Sequence, residues 1–270
     1  MQLATDPAPT MRDANFWPAA IQPGVPGAAP EAQPLTKVGA MRLGVVTALQ
    51  AEVDCLRHLG DGATPLTYVS GGNGARARLG AEQLWTKGAV ALVSFGFASG
   101  LAPILRPGDV VIADSVVLPT GGTIPTDAGW RAALLQQLRG SELNVRVARI
   151  AGSDEPLVSA NAKRRAFQAT FAAALDTESH AVAEVAISAG LPLLVVRAVA
   201  EPAEAMRPPI AFAATSADGR TRSLAVVGHL ATRPWEIPAA WRFSKNGRMA
   251  LDALRQVAAV GPEPFAFQIG

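Results

Sequence analysis

The sequence predicts a single α/β domain with a largely parallel central sheet, and three observations lead to this prediction. Short apolar runs typical of buried strands alternate with segments of helical spacing from residue 43 onward. The apolar runs are continuous, as expected for strands that helices cover on both faces. No internal repeat or break in composition follows residue 41. We therefore expect residues 41–260 to form one domain, followed by a short C-terminal tail at residues 261–270.

Each element follows from its local pattern. Apolar or β-branched runs predict the strands, and apolar residues at i, i+3 and i+4 predict the helices. Helices end at Gly60 and Gly140, and the turn Pro107-Gly108 precedes a β-branched strand. Residues 203–230 are less regular, and no element is assigned there. In chain order we predict strand 43–49, helix 51–60, helix 75–87, strand 89–97, strand 109–118, helix 130–140, strand 145–152, helix 163–172, helix 177–190, strand 191–200 and helix 247–260.

Composition limits the classes of partner. The chain has 270 residues, 49% of them hydrophobic, and its formal net charge of +2 is not concentrated in a Lys/Arg block of the kind that binds nucleic acid. A single cysteine, Cys55, excludes an intramolecular disulfide, and three scattered histidines indicate no metal site. We expect a protein of the reducing cytoplasm without a bound metal. No apolar run approaches the roughly 20 residues that cross a bilayer.

The first 40 residues differ from the rest of the chain. They contain seven prolines and few periodic apolar positions. Such a segment cannot bury enough apolar surface to fold, so residues 1–40 are predicted to be a disordered extension. They also lack the basic start and the uninterrupted apolar stretch of a signal peptide.

Three carboxylates lie at or next to strand ends. Glu52 follows the first strand, Glu178 stands at the start of a helix, and Glu201 closes a strand that is largely apolar. In α/β sheets ligands bind at the carboxyl ends of the strands, where these acids are expected to lie. Each acid also has an ordinary interpretation, since acids are common in first helical turns and on exposed helix faces. Glu201 is the most informative, because an acid that ends a buried strand must be solvated or paired.

Two glycine-rich loops, SGGNG at residues 70–74 and FGFASG at residues 95–100, form a second group of candidates. Such loops let the backbone approach a ligand closely, or they simply turn the chain. Their spacing matches neither a Walker phosphate loop nor the dinucleotide-binding fingerprint. Arg76, Arg78 and Ser94 lie on or beside these loops and are candidates for binding an anion such as phosphate.

Four segments together resemble the superfamily of nucleoside phosphorylases and nucleosidases. They are GVVTALQAEVDCL, LVSFGFASGLAPILRPGDVVIAD, ALDTESHAVA and VVRAVAEPA, in the order and spacing of that superfamily over residues 41 to about 205. The ESHAVA helix, the RPP segment at residues 207–209 and the late stretch RPWEIPAAWRFSKNGRMALDALR resemble its hopanoid-associated phosphorylase branch. The resemblance implies a three-layer α/β/α fold with a mixed, largely parallel sheet, and a homo-oligomer.

The resemblance also implies a role for each acid. Glu52 matches the glutamate that activates the attacking water. Glu178 matches the acid that holds the ribose hydroxyls, and it is expected to be ionised. Glu201 stands where the family has an aspartate that protonates the leaving purine, a role that needs the neutral acid. Further substrate-binding residues implied by the resemblance are Thr177 under the sugar, Leu157 and Val158 against adenine, Ser94 and Gly96.

The reaction implied by the resemblance is cleavage of the N-glycosidic bond of an adenine nucleoside, which is adenosylhopane in the hopanoid-associated branch. Water and phosphate are alternative nucleophiles, so no cofactor is expected and phosphate is a possible co-substrate. Cations interleaved with Trp235 and Trp241 would suit contact with a membrane surface, although a packing role fits equally well. The alternatives are a soluble methylthioadenosine or adenosylhomocysteine nucleosidase and an adenine-nucleoside-binding protein with impaired catalysis.

Overall fold

A computed structural model describes residues 42–57, 64–213, 216, 218–220, 222–260 and 264–267. The extension predicted at residues 1–40 lies outside this part of the chain. The same is true of residues 261–263 and 268–270 in the predicted tail, and of the last residues of the helix predicted at 51–60. Among the described residues, no helix is both long enough and apolar enough to cross a membrane.

Strands and helices alternate through most of the described chain, with two short 3₁₀ turns near its end. The strands are β1 (Arg42–Thr47), β2 (Leu66–Val69), β3 (Ala89–Gly100), β4 (Val110–Val117), β5 (Thr123–Pro125), β6 (Val145–Gly152), β7 (Ala174–Asp176) and β8 (Leu193–Glu201). The helices are α1 (Gln50–Asp54), α2 (Gly74–Thr86), α3 (Ala128–Gln137), α4 (Ala160–Thr170), α5 (Ser179–Ser188), α6 (Ile210–Ala213), α7 (Ser223–Thr232) and α8 (Ile237–Ala258). The 3₁₀ turns are Pro234–Glu236 and Pro264–Ala266.

The strands form one mixed sheet. Strand β1 lies between β2 and β3 and is parallel to both. Strands β3, β8, β4, β6 and β7 pair in succession, and β7 pairs with β3, so these five strands close a ring. Within the described residues, five strand pairings are parallel and three are antiparallel. The prediction of a mixed, largely parallel sheet is confirmed.

Helices cover both faces of the sheet because both faces are apolar. Strand β8 is buried at every position, and its successive side chains point into two different cores. One core includes side chains of α2 and α5. The other includes side chains of α3, α8 and the 3₁₀ turn Pro264–Ala266. This is the three-layer α/β/α arrangement that the resemblance implied.

Phe265 lies in the segment predicted to be a tail, yet it is fully buried. Its ring meets the ring of Phe95 edge to face at a centroid distance of 5.2 Å. Its carbonyl oxygen accepts a hydrogen bond from Trp130 Nε1 at 2.8 Å. Residues 264–267 therefore pack with the core. The sequence does not predict this packing, because a segment of four residues is too short to show a periodic pattern of apolar residues.

Several element boundaries differ from the prediction. Strands β2, β5 and β7 have only three or four residues, too few to show an alternating pattern. Strand β7 is defined by its pairing with β3 and β6 and ends at Asp176. Helix α5 then begins at Ser179 rather than at residue 177. Helix α8 begins at Ile237 rather than at residue 247, because its first turns bury no side chain and so lack an apolar period.

Candidate active site

A cavity of about 620 Å³ lies beside the carboxyl ends of β1, β3 and β8. Its volume falls in the range of small-molecule sites, about 300–1,000 Å³. The three candidate acids, Glu52, Glu178 and Glu201, all line it, and so do Arg76 and Arg207. The sheet therefore brings together acids that are up to about 150 positions apart in the sequence, at the edge where ligands bind in such folds.

Glu52 is held by backbone N–H groups. Its Oε2 atom accepts hydrogen bonds from the N–H groups of Ala48 and Leu49 at 2.7 and 2.9 Å, and its Oε1 atom accepts one from Phe97 at 2.9 Å. Burial, together with the nearby charge of Glu178, raises the pKa of Glu52 from 4.5 to about 7, although backbone N–H groups offset part of the rise. A carboxylate with this pKa can accept a proton near neutral pH.

Glu178 precedes the first residue of α5 and is almost fully buried. Its Oε1 atom accepts a hydrogen bond from Ser70 Oγ, and its Oε2 atom pairs with Arg197 Nη1 at 3.3 Å. Burial raises the pKa of Glu178, and the charge of Arg197 offsets part of that effect. The expectation that Glu178 stays ionised therefore depends on Arg197.

Arg197 lies on β8 and is fully buried in a network of acids and hydroxyls. Its Nε atom contacts Asp176 Oδ2 at 3.0 Å, and its Nη2 atom donates to Ser94 Oγ at 2.5 Å and to Ser179 Oγ at 3.1 Å. Asp176 Oδ1 also accepts hydrogen bonds from the N–H groups of Glu178 and Ser179, both at 2.7 Å. One acid thus anchors the start of α5 and holds the cation that faces Glu178.

Glu201 lies between two cations at the end of β8. Its Oε1 atom accepts a hydrogen bond from Arg207 Nε at 2.6 Å, and its Oε2 atom pairs with Lys163 Nζ at 3.4 Å. Lys163 is fully buried and also donates to the carbonyl oxygens of Pro202 and Ala205, at 3.1 and 3.0 Å. Burial lowers the pKa of Lys163, and Glu201 offsets part of that effect. Both carboxylate oxygens of Glu201, the acid expected to donate a proton, therefore contact cations.

Three more predicted residues lie on the cavity wall or directly behind it. Thr177 lines the cavity, and its hydroxyl donates to the Gly72 carbonyl oxygen at 2.9 Å. Arg76 lines the cavity as well, with its Nε atom donating to a backbone carbonyl in the loop 70–74. Gly96 lies behind Glu52, where an added Cβ would come within 2.6 Å of Glu52 Oε1. A glycine at this position leaves room for the acid.

Besides Gly96, four predicted residues do not line the cavity. Ser94 belongs to the buried network around the β8 arginine. Arg78 of α2 forms an ion pair with Glu184 of α5, and neither residue lines the cavity. Leu157 packs against a small apolar cluster, and Val158 is 43% exposed. Glu155 and Pro156, which precede them in the loop, line the cavity instead. Matching a motif by sequence alone does not locate a contact to within one or two residues.

Four charged residues of the site are missing from the predictions: Lys163, Asp176, Arg197 and Arg207. Arg197 does carry a signal, because a cation in the middle of an apolar strand must find a partner. Lys163 carries none, since it is the first of three consecutive cations, an arrangement typical of a solvated helix surface. Its burial depends on the turn after β8, which is distant in sequence.

A family model described as the phosphorylase superfamily matches residues 59–231. No curated protein matches the chain. The family match covers β2 to β8 and therefore includes Glu178 and Glu201.

Solved structures share the fold. Futalosine hydrolase of Helicobacter pylori is 14% identical, with a TM-score of 0.60, over 81% of this chain and 97% of that chain. A 5'-methylthioadenosine/S-adenosyl homocysteine nucleosidase of the same bacterium is 15% identical, with a TM-score of 0.60, over 81% and 98%. The S-adenosylhomocysteine nucleosidase of Streptococcus pyogenes, in complex with 5-methylthiotubericidin, is 20% identical, with a TM-score of 0.60, over 82% and 97%. At these identities the likeness shows the fold.

Proposed function

Because this chain belongs to the phosphorylase superfamily, as the match over residues 59–231 shows, we propose that it cleaves the N-glycosidic bond of an adenine nucleoside. The observation that carries the proposal is that two buried acids, Glu52 and Glu178, line one cavity of suitable size. Breaking this bond builds positive charge on the ribose. Carboxyl groups of Glu52 and Glu178 next to the ribose would stabilise this developing positive charge.

Glu52 is the proposed general base. Its pKa of about 7 leaves it partly ionised at neutral pH, so it can remove a proton from a water molecule that attacks the ribose C1′. Three backbone N–H groups fix the carboxyl group in one orientation. Glu178, held by Ser70 and Arg197, is proposed to bind the ribose hydroxyls.

Water is favoured over phosphate as the nucleophile. Phosphate would need cations next to Glu52, and both cations named from the sequence, one on the cavity wall and one away from it, already have protein partners. Arg76 donates its Nε hydrogen to a backbone carbonyl, and Arg78 pairs with Glu184 of α5 away from the cavity lining. An ionised Glu52 would also repel phosphate. The proposed reaction is therefore hydrolysis.

The proposed substrate is adenosylhopane, a lipid-linked adenine nucleoside. Support comes from an exposed apolar surface on α7, the 3₁₀ turn Pro234–Glu236 and the first half of α8, where Leu224, Trp235 and Trp241 are 90%, 72% and 64% exposed. Cations Arg233, Arg242 and Lys245 are interleaved with these side chains and would attract an anionic membrane surface. Later residues of α8, among them Arg248, line the cavity, so a docked membrane would lie close to its substrate site.

The test measures adenine release from adenosylhopane in phosphatidylglycerol vesicles and from soluble methylthioadenosine, each with and without phosphate. Wild type, Glu52→Gln and Trp241→Glu are compared, with Asp54→Asn as a matched control that removes an exposed carboxylate from α1. We expect phosphate-independent release from both substrates. Glu52→Gln should reduce both rates by about 100-fold or more, a typical loss for a general base. Trp241→Glu should slow only the vesicle substrate.

Other outcomes select the alternatives. Release that requires phosphate would make the enzyme a phosphorylase. Release from methylthioadenosine alone, unaffected by Trp241→Glu, would indicate a soluble nucleosidase. Adenine binding without turnover of either substrate would leave a binding protein with impaired catalysis.

A further inference from the structure

A cluster of three charged residues at the cavity wall and directly behind it has no part in the chemistry proposed so far. Lys163, Glu201 and Arg207 come from α4, the end of β8 and the segment after it. Glu201 is 3% exposed and bridges the two cations, with contacts of 3.4 Å to Lys163 Nζ and 2.6 Å to Arg207 Nε. Glu201 and Arg207 both line the cavity, and the Arg207 side chain is 27% exposed.

This arrangement is poorly suited to proton donation by Glu201. A general acid must be neutral before it reacts, whereas each oxygen of Glu201 here accepts from a cation. Arg207 has the opposite properties. A guanidinium keeps its charge at all ordinary pH values and donates hydrogen bonds from a planar group, and the Nε–H of Arg207 contacts Glu201 at the cavity wall.

Resting on the proposed function, we infer that Arg207 stabilises the departing base and that Glu201 is the positioning residue that orients it. As the C1′–N9 bond breaks, the electron pair of that bond stays on the base. Arg207 donates an N–H hydrogen bond to the acceptor atom on which the negative charge develops. Water forms the new bond to C1′ and gives a proton to Glu52, and the base anion takes up a proton from solvent.

Lys163 completes the arrangement from behind. Its three ammonium hydrogens have three acceptors, Glu201 Oε2 and the carbonyl oxygens of Pro202 and Ala205. These contacts hold the turn that follows β8, and Arg207 lies two residues after Ala205, the last of the residues bound. The backbone N–H of Arg207 also donates to the Val158 carbonyl oxygen at 3.0 Å, which ties the segment to the loop before α4. Arg207 is thus held at both its backbone and its side chain.

The experiment compares two substrates that differ in the leaving group. The first is the nucleoside that wild type cleaves, and the second is 4-nitrophenyl riboside, whose nitrophenolate leaves without help. Arg207→Gln should lower kcat/KM about 100-fold or more for the nucleoside and by less than about threefold for the nitrophenyl riboside. Glu201→Gln should cost the nucleoside less than Arg207→Gln does, because a glutamine oxygen still accepts from Arg207 Nε. Arg106→Gln is the matched control. Arg106 lies between β3 and β4 and contacts Glu204 on the turn after β8, but it does not line the cavity.

The pH profile supplies a second readout. An arginine donor does not titrate, so kcat/KM for the nucleoside should stay level above neutral pH instead of falling as a general acid deprotonates. Equal losses on both substrates in Arg207→Gln would overturn the inference, and so would an inactive Glu201→Gln beside an active Arg207→Gln. If wild type cleaves neither substrate, the proposed function fails together with the inference. If it cleaves both and Arg207→Gln matches wild type, only the inference fails.

Discussion

Asp176, Glu178 and Glu52 bring three carboxyl groups near one cation, Arg197. Asp176 and Glu178 touch its guanidinium directly, at 3.0 and 3.3 Å, and Glu52 acts on it through charge alone. Burial raises the pKa of both Glu52 and Glu178, because neither carboxylate is fully compensated by the shared cation. The incomplete compensation gives Glu52 a pKa near neutrality, the property that a general base requires.

Arg197→Met tests this balance through stability. The substitution keeps an unbranched side chain in β8 but leaves Asp176 and Glu178 buried without their cation. We expect the free energy of unfolding at pH 7.5 to fall by about 3–5 kcal/mol, as when one partner of a buried pair is removed. Urea unfolding followed by circular dichroism measures the change. Arg106→Gln, which removes an exposed arginine, should change it by less than about 1 kcal/mol. A loss for Arg197→Met as small as that of the control would contradict the role given to Arg197.

Residue-level prediction from sequence succeeds for acids at strand ends and fails for their partners. Glu52, Glu178 and Glu201 follow apolar segments, and the topology of an α/β sheet places such positions at one edge. The cations that decide their charge states come from other elements. Lys163 and Arg207 gain their roles only when α4 and the turn after β8 pack together. That packing has no local sequence pattern.

At the scale of elements, the contact between β3 and α1 determines where Glu52 lies. The side chain points from α1 toward β3, where the Phe97 N–H donates a hydrogen bond to Glu52 Oε1. The neighbouring position on β3 is Gly96, and its missing side chain provides the space that the carboxyl group occupies. The glycine-rich segment 95–100, expected from the sequence to be a loop, is instead the end of β3, and its Gly96 leaves room for the acid.

Gly96→Ala should therefore impair catalysis more than folding. A Cβ would lie 2.6 Å from Glu52 Oε1, so the carboxyl group must move away from its N–H donors. We expect kcat/KM to fall by about 100-fold, since a displacement of about 1 Å costs that much. Steady-state kinetics with the cleaved nucleoside and a thermal unfolding scan measure the two effects. Gly228→Ala is the control: it lies in α7 with open space around it and should keep full activity while gaining up to about 1 kcal/mol. Full activity in Gly96→Ala would refute the steric argument.

Long strands were predictable and very short ones were not. The apolar runs of β3, β4 and β8 are recognisable because they extend over eight or more residues. Strand β7 has three residues and exists through its pairing with β3 and β6, yet it carries Asp176 to the buried arginine. The site thus depends partly on an element that periodicity cannot detect.

In the described part of the chain, five strands close a ring between two helical layers, and the charged groups of the site lie at the carboxyl ends of strands. Closing the ring brings β8 next to both β3 and β4, so β8 is buried along its full length. Arg197 and Glu201 are on this strand, and their desolvation is a cost that the two apolar cores must offset. Stability and the charge states of the site are therefore coupled.

This coupling predicts how stability changes with pH. The pKa of Glu52 is about 7 in the folded protein and 4.5 without burial, so its contribution is fully present below pH 4.5 and is lost as pH rises through 7. A rise of this size, at about 1.4 kcal/mol per unit of pKa, corresponds to about 3 kcal/mol. Urea unfolding of wild type and Glu52→Gln between pH 4.5 and 8 measures it.

We expect the stability of wild type relative to Glu52→Gln to fall by about 3 kcal/mol across this range, because the glutamine cannot titrate. The amide of Glu52→Gln also faces a backbone N–H group, but that cost is the same at every pH and does not affect the slope. Asp54→Asn, which removes an exposed carboxyl group from the same helix, should keep the slope of wild type. A relative stability that stays constant or increases with pH would mean that burial does not hold Glu52 in its protonated form. Glu52 would then be a permanently ionised acid at neutral pH, and the acidic limb expected in the pH profile of nucleoside cleavage would lie near 4.5 instead of near 7.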